Sequence, residues 1–188
     1  MSGTDVRGTD VTVKIRPLGP DLLEAARAFF ARVPEGDRTF FKEDVLDPLA
    51  IEAWAHDTKD RRLVAVDDAG AVVGYVAVIR GVAWSSHVGE VRVVVDPAQR
   101  RAGVGRALAR CGLMEGLAMD LHKLTVEVVV EQTAAIAMFE DIGFEREALL
   151  IDQVQDRNGE LHDLLVLAHA VDETWELMAA VGLDDALI

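Results

Sequence analysis

Arg100, Arg101, Arg106 and Arg110 crowd one short stretch of a 188-residue chain whose formal net charge is −14, and Gly103 and Gly105 fall among them. No carboxylate lies between Asp96 and Glu115. Guanidinium groups pair with phosphate oxygens, and a Gly-x-Gly turn lets a ligand reach the main chain without meeting a Cβ. The chemistry these residues suit is the holding of a phosphorylated ligand, most economically a pyrophosphate. On either side, Glu90 opens one valine-rich run and Glu127 interrupts another, Leu124 to Val130. A carboxylate in an apolar setting becomes a proton acceptor near neutral pH if burial raises its pKa.

The elements that must position these groups follow from the same stretch. Glu90 to Val95 reads as a strand that Pro97 ends, because proline has no N–H to offer a ladder. The Ala-, Leu- and Arg-rich residues after Gly105 read as a helix, whose first N–H groups lack intrahelical partners and whose dipole favours an anion. Strand, phosphate loop and helix therefore follow one another. A nucleoside-triphosphatase loop would need Gly-Lys-Ser/Thr, which is missing, and Gly-x-Gly-x-x-Gly fails because position 108 is Leu. What is left is Arg100-x-x-Gly103-x-Gly105 behind Val-Asp-Pro. Another kind of nucleotide-binding α/β protein is still open from the loop alone.

That pattern resembles the acyl-CoA-binding motif of the GNAT N-acetyltransferase family, Gln/Arg-x-x-Gly-x-Gly/Ala. A second match lies downstream, where the family's region looks like strand, Asn, a short helix carrying Ala and Tyr, then Gly-Phe. Here Gln132 stands at the Asn position, Ala135 at the Ala, Phe139 at the Tyr, and Gly143-Phe144 at the end. The resemblance covers roughly Val11 to Ala168, with its specific motifs between residues 90 and 144. It implies an α/β fold, a mixed sheet splayed between its fourth and fifth strands with helices on both faces. It also implies acetyl-CoA as acyl donor, no metal, and direct transfer to an amine in a ternary complex. The donor's pantetheine arm would pair with the backbone of the fourth strand, at Val93 and Val95. Arg100, Arg101, Gly103, Val104, Gly105 and Arg106 would hold the pyrophosphate, with Gln132 and Phe139 nearby.

Such a transfer needs a neutral amine, and a free alkylamine, of pKa above about 10, is nearly all ammonium at neutral pH. Glu90 is the first candidate for base, since Glu-Val-x-x-x-Val before the loop looks like bacterial protein-lysine acetyltransferases. Glu127 is the second, at a fifth-strand position that other members use. The plain alternatives are an exposed strand end for Glu90 and a water-facing polar residue for Glu127. His87, Asp152 and Asp163 are weaker candidates for a relay or for binding a cationic acceptor. Phe139 departs from the family, because phenylalanine has no proton to give the leaving thiolate. A thiol of pKa about 8.5 leaves well as an anion, so the departure puts rate or mechanism in doubt without forbidding transfer. A non-catalytic acyl-CoA-binding module is the alternative that Phe139 leaves standing. Cys111 reads as a packed thiol.

Composition bounds the rest. Hydrophobic residues make up 51% and charged residues 28%, which excludes a disordered chain as a whole. The 33 acidic against 19 basic residues disfavour nucleic acid as a partner and favour cations such as amines or lysine-rich proteins. A single cysteine, with no membrane-length apolar run and no signal-type leader, leads to the expectation of a soluble cytoplasmic protein without a membrane partner. Residues 1–10 read as a flexible leader, 11–170 as one domain, and 171–188 as a terminal helix packed on that domain or at a homodimer contact. Within the domain, Val11 to Arg16 reads as the first strand and Gly19-Pro20-Asp21 as the start of a helix to about Arg32. Pro34 to Lys42 reads as a loop or broken helix, and Asp47-Pro48 reopens a helix to about His56. Phenylalanines here either roof an acceptor site or, more simply, fill the core. Asp68-Ala69-Gly70 and Asn158-Gly159 mark two hairpins.

Overall fold

A computed structural model of the protein describes residues 4–7, 12–38 and 41–171. Eight strands form one sheet: β1 (Thr4–Arg7), β2 (Thr12–Pro17), β3 (Arg61–Asp67), β4 (Val72–Arg80), β5 (Val88–Val95), β6 (Lys123–Val129), β7 (Glu145–Gln155) and β8 (Leu161–Ala170). Their order is β1-β2-β3-β4-β5-β6-β8-β7. The helices are α1 (Leu23–Arg32), α2 (Glu35–Arg38), α3 (Pro48–His56), α4 (Val104–Ala118) and α5 (Thr133–Glu140). The expected order of elements is present, with a single parallel pair among the described residues, β5 and β6, joined through α4. The splay is also present, since β5 and β6 pair only from Val88↔Lys123 to Glu90↔Thr125.

Local chemistry accounts for the boundaries. Asp47 caps α3 by accepting from the Leu49 N–H at 2.9 Å, with Pro48 in the first turn. The first hairpin closes on Gly70, whose φ of +84° only glycine adopts freely, while the Asp67 carboxylate accepts from the N–H groups of Ala69 and Ala71. Pro20–Leu22 forms a 3₁₀ turn ahead of α1 rather than its first α-helical turn. Thr4–Arg7 is a strand where the sequence led to a flexible leader. It pairs with β2 from Thr4↔Ile15 to Arg7↔Thr12, and an edge strand needs only backbone partners, so polar composition does not prevent it. The expected terminal helix lies outside the described residues.

Two cores flank the sheet. On one face α4 and α5 cover Val76, Val78, Val91, Leu108, Leu124, Val126 and Phe139. On the other α1 and α3 cover Phe29, Phe30, Ile51, Tyr75, Ala77 and Val94. Because β4 is covered on both sides, seven consecutive residues from Val72 to Val78 are buried. Full burial of a side chain such as Phe29 or Leu108 stabilises by roughly 1.5–3 kcal/mol. Phe29 and Phe30 are core, and Phe41 packs edge-on against Phe30 at 5.9 Å between ring centres. The simpler reading of those phenylalanines therefore holds; Phe40 lies outside the described residues.

Candidate active site

The parting of β5 from β6 leaves one edge of β5 without a ladder. Along this strand the peptide groups alternate: the Val88 carbonyl accepts from Gly81 on the β4 side, whereas the His87 carbonyl accepts from the His122 N–H on the β6 side. Asp96, of even number like Val88, donates its N–H to the Val73 carbonyl on the β4 side. By the same alternation Val91, Val93 and Val95 turn their N–H and C=O groups toward the splay. Beyond Glu90 no β6 residue pairs with them. Their side chains pack toward the α4 core. The two positions read from the sequence, Val93 and Val95, thus carry backbone groups with no ladder partner on the splay side among the described residues.

At the far end of this edge the chain turns through Pro97–Gln99 and Arg101, whose φ is +65°, to Gly103 at φ +84°. Gly103 is the N-cap of α4 and supplies no side-chain cap, so the first N–H groups of the helix, at Val104, Gly105 and Arg106, point out of its end. A Cβ on Gly103 would meet nothing within 4 Å, and one on Gly105 would lie 3.4 Å from Met138 Sδ and Val95 Cγ2. Space for a ligand therefore adjoins Gly103, whereas a side chain on Gly105 would be in contact with Met138 and Val95. Val104 is buried in the α4 core, so only its N–H is available. Arg100 pairs with Asp37 and Arg106 with Asp141, while Arg101 and Arg110 make no ion pair among the described residues. The run of sequence without carboxylates is thus partly neutralised by acids folded in from elsewhere. Gln132 precedes α5 with its side chain exposed and uncommitted. These features fit acetyl-CoA: an open strand edge for an amide-bearing arm, and helix N–H groups with arginines for phosphates.

At the near end, Glu90 and Glu127 project to the other face of the sheet, where Lys42 bridges them. Its Nζ stands 2.9 Å from Glu90 Oε2 and 3.0 Å from Glu127 Oε2. Arg92, two residues along β5 on the same face, donates from Nε to Glu90 Oε1 at 2.8 Å and from Nη2 to Glu90 Oε2 at 3.1 Å, and also pairs with Glu43. Burial works to raise the Glu90 carboxyl, but the hydrogen bonds from Arg92 and Lys42 outweigh it and hold it below the ordinary value. A base working near neutral pH would need the opposite shift. Burial likewise works to lower the Lys42 ammonium, and its bonds to Glu90 and Glu127 leave it above the ordinary value.

The remaining candidates separate clearly. Phe139 is 3% exposed and packs edge-on to Phe144 at 5.3 Å, within the core. Tyr75 is buried between Phe30 and Trp54, and burial pushes its hydroxyl well above the ordinary value, so it is no substitute acid. Asp163 accepts from the N–H of Asp152, which has φ +50° where β7 slips register against β8, so this pair secures a bulge. His87 lies 6.3 Å from the ring of His122 at the start of β5. Sequence reasoning missed Lys42, Glu43 and Arg92. Arg92 had a signal, since residues two apart on a strand share a face with Glu90. Lys42 and Glu43 had none, because the connection that carries them has no periodicity.

Comparison with known proteins adds four findings. Residues 22–144 match the family model described as Acetyltransferase (GNAT) family. The spermidine N(1)-acetyltransferase of Vibrio cholerae is 27% identical over 99 residues, 52% of this chain and 57% of that protein. The mycothiol acetyltransferase of Kocuria rhizophila is 32% identical over 142 residues, 71% of this chain and 46% of that protein. The chain thus spans about half the length of these curated relatives. Among solved structures, the V. cholerae spermidine N-acetyltransferase in complex with CoA and spermine superposes with a TM-score of 0.71 at 22% identity, over 85% of this chain and 96% of that one. No described helix is long and apolar enough to cross a membrane.

Proposed function

The chain belongs to the acetyltransferase (GNAT) family, and from that premise we propose that it transfers an acetyl group from acetyl-CoA to a primary amine while both are bound. One observation carries the reading: the open edge of β5 runs from a loop suited to phosphates to a pair of carboxylates that already hold an alkylammonium, that of Lys42. Arg100, Arg101 and the N–H groups of Gly103 to Arg106 take the pyrophosphate, and Gln132 faces the donor from the turn ahead of α5. Val93 and Val95 pair with the arm. A β5 N–H facing the splay polarises the thioester carbonyl, as donors aimed at a developing oxyanion do.

The two glutamates divide the work on the acceptor. Glu90 keeps the Arg92 fork and stays ionised, so it anchors the incoming ammonium. Glu127, with no arginine bonded to it, takes the proton from the nitrogen. The leaving thiolate needs no phenol at position 139, because its own pKa lets it depart as an anion. An acidic protein draws such cations from solution, and one relative is named for spermidine.

The test is calorimetric binding of acetyl-CoA to the wild type and to Gly103→Glu, followed by a panel of amines with Glu90→Gln and Glu127→Gln. Saturable binding with turnover that both glutamate variants impair supports the reading. Binding without turnover of any amine would favour the alternative that buried, proton-less Phe139 suggests, an acyl-CoA-binding module.

A further inference from the structure

We propose that Lys42 is an internal acetyl acceptor: the chain transfers an acetyl group from acetyl-CoA to its own Lys42 Nζ. This inference rests on the acetyl-transfer reading above. The chain carries only four lysines, Lys14, Lys42, Lys59 and Lys123, against fifteen arginines, and the cation between the two cleft carboxylates is one of the four. That choice matters chemically. A guanidinium keeps its proton at any ordinary pH, whereas a lysine amine becomes a nucleophile once a neighbouring base accepts its proton. Lys42 Nζ has such a base, Glu127, within direct hydrogen-bond reach at 3.0 Å, and the anchoring carboxylate of Glu90 at 2.9 Å.

Its place in the fold points the same way. Glu90 and its partner Thr125 are the last paired residues before β5 and β6 part, so Nζ stands at the closed end of the open edge. The phosphate loop is at the other end, beyond Val95. A donor anchored at Gly103 and extended along Val95 and Val93 directs its thioester toward Glu90 and Lys42. Lys42 is also half exposed, with a side-chain exposure of 48%, and its connection between α2 and α3 lies outside the sheet. An ion pair of that exposure holds by about 1 kcal/mol or less, so the amine exchanges readily between the carboxylates and the cleft.

The step balances without a further reagent. Glu127 takes one proton from the ammonium, the nitrogen attacks the thioester carbonyl carbon, the N–C bond forms and the C–S bond breaks. The sulfur leaves as thiolate and takes up a proton, and the second proton of the original ammonium passes to solvent. The products are an acetamide at Lys42 and CoA. Loss of the Lys42 charge removes the cation shared by Glu90 and Glu127 and vacates the notch for an external ammonium. Because the two carboxylates favour the charged amine, the rate of labelling rises with pH through the neutral and into the alkaline range.

The experiment uses the full chain with acetyl-CoA and no amine, read by intact mass and by peptide mapping of all four lysines. The expected result is one acetyl group on Lys42, added with a first-order rate that does not change on about tenfold dilution of the protein, as intramolecular transfer requires. Lys59→Arg keeps the label, Lys42→Arg loses it, and Gly103→Glu, with the donor site blocked, slows it to the rate of the other lysines. Two results would overturn the inference while leaving acetyl transfer intact: acetyl-CoA binds and an external amine is acetylated, yet Lys42 is labelled no faster than Lys14, Lys59 and Lys123, or its labelling slows on dilution. If acetyl-CoA neither binds nor labels any residue or amine, this inference and the functional reading both fall.

Discussion

At one end of the β5 edge, Arg100 to Arg106 are consecutive in the chain; at the other, three separate segments bring the Lys42 Nζ within 3.0 Å of both Glu90 and Glu127, and only the fold does so. The first end is a device of main-chain N–H groups and works through backbone shape, with Gly103 held at a positive φ. The second is a device of side-chain charge and works through ion pairing, with Lys42 and Arg92 set against Glu43, Glu90 and Glu127. Each end therefore notices a different kind of substitution. Backbone sites respond to what is added, and ion-paired sites respond to what is taken away.

The largest expected effect is at the ion-paired end. Glu127→Gln removes the proposed proton acceptor and should lower kcat by roughly 10²–10⁴-fold with little change in KM for the amine. Glu90→Gln should instead raise KM more than it lowers kcat. Steady-state kinetics on the same amine decide this, and the reverse pattern would exchange the two roles. Gly103→Glu comes next. A carboxylate at the helix N-terminus opposes the phosphates and should weaken acetyl-CoA binding by about 100-fold in calorimetry. Gly103→Ala has room for its Cβ and should lose only the roughly 1–2 kcal/mol of the left-handed backbone. Equal losses in the two variants would mean that backbone shape alone accounts for the loop.

A smaller change is expected from Arg92→Gln. Glu90 is held below its ordinary pKa, so it contributes to ammonium binding above that lowered value and ceases to as pH falls through it. Without Arg92 the loss should occur at higher pH, seen as a KM for the amine that begins to rise earlier on acidification. An unchanged KM–pH profile would show that the fork does not govern Glu90. The smallest effect belongs to Cys111, which burial pushes above the usual thiol range. Cys111→Ala should leave kcat unchanged, and a large loss would implicate an acyl-cysteine that the half-buried thiol, with its raised pKa, argues against.

Much of the fold was legible because its signals are local. The valine-rich run stopped by Pro97, the Gly70 and Gly159 hairpins, and the Asp47-Pro48 helix start each depend on a few neighbouring residues, and all four stand where the sequence put them. The strand, turn and helix from Val88 to Ala118 were legible for the same reason. The electrostatics of the glutamates were not. Whether burial raises a carboxylate or cations lower it depends on which charges lie across the cleft, and Lys42 is 48 positions from Glu90.

Residues 90 to 110 therefore carried strand, turn, glycine geometry and cationic character in their own order, because hydrogen-bonding capacity and backbone freedom belong to each residue wherever it stands. Folding settled the rest: how far β5 stays paired before it parts from β6, which acids neutralise Arg100 and Arg106, and which amine occupies the notch between Glu90 and Glu127. Those are pairwise quantities that fall off steeply with separation, and only packed elements set the separations between distant parts of a chain.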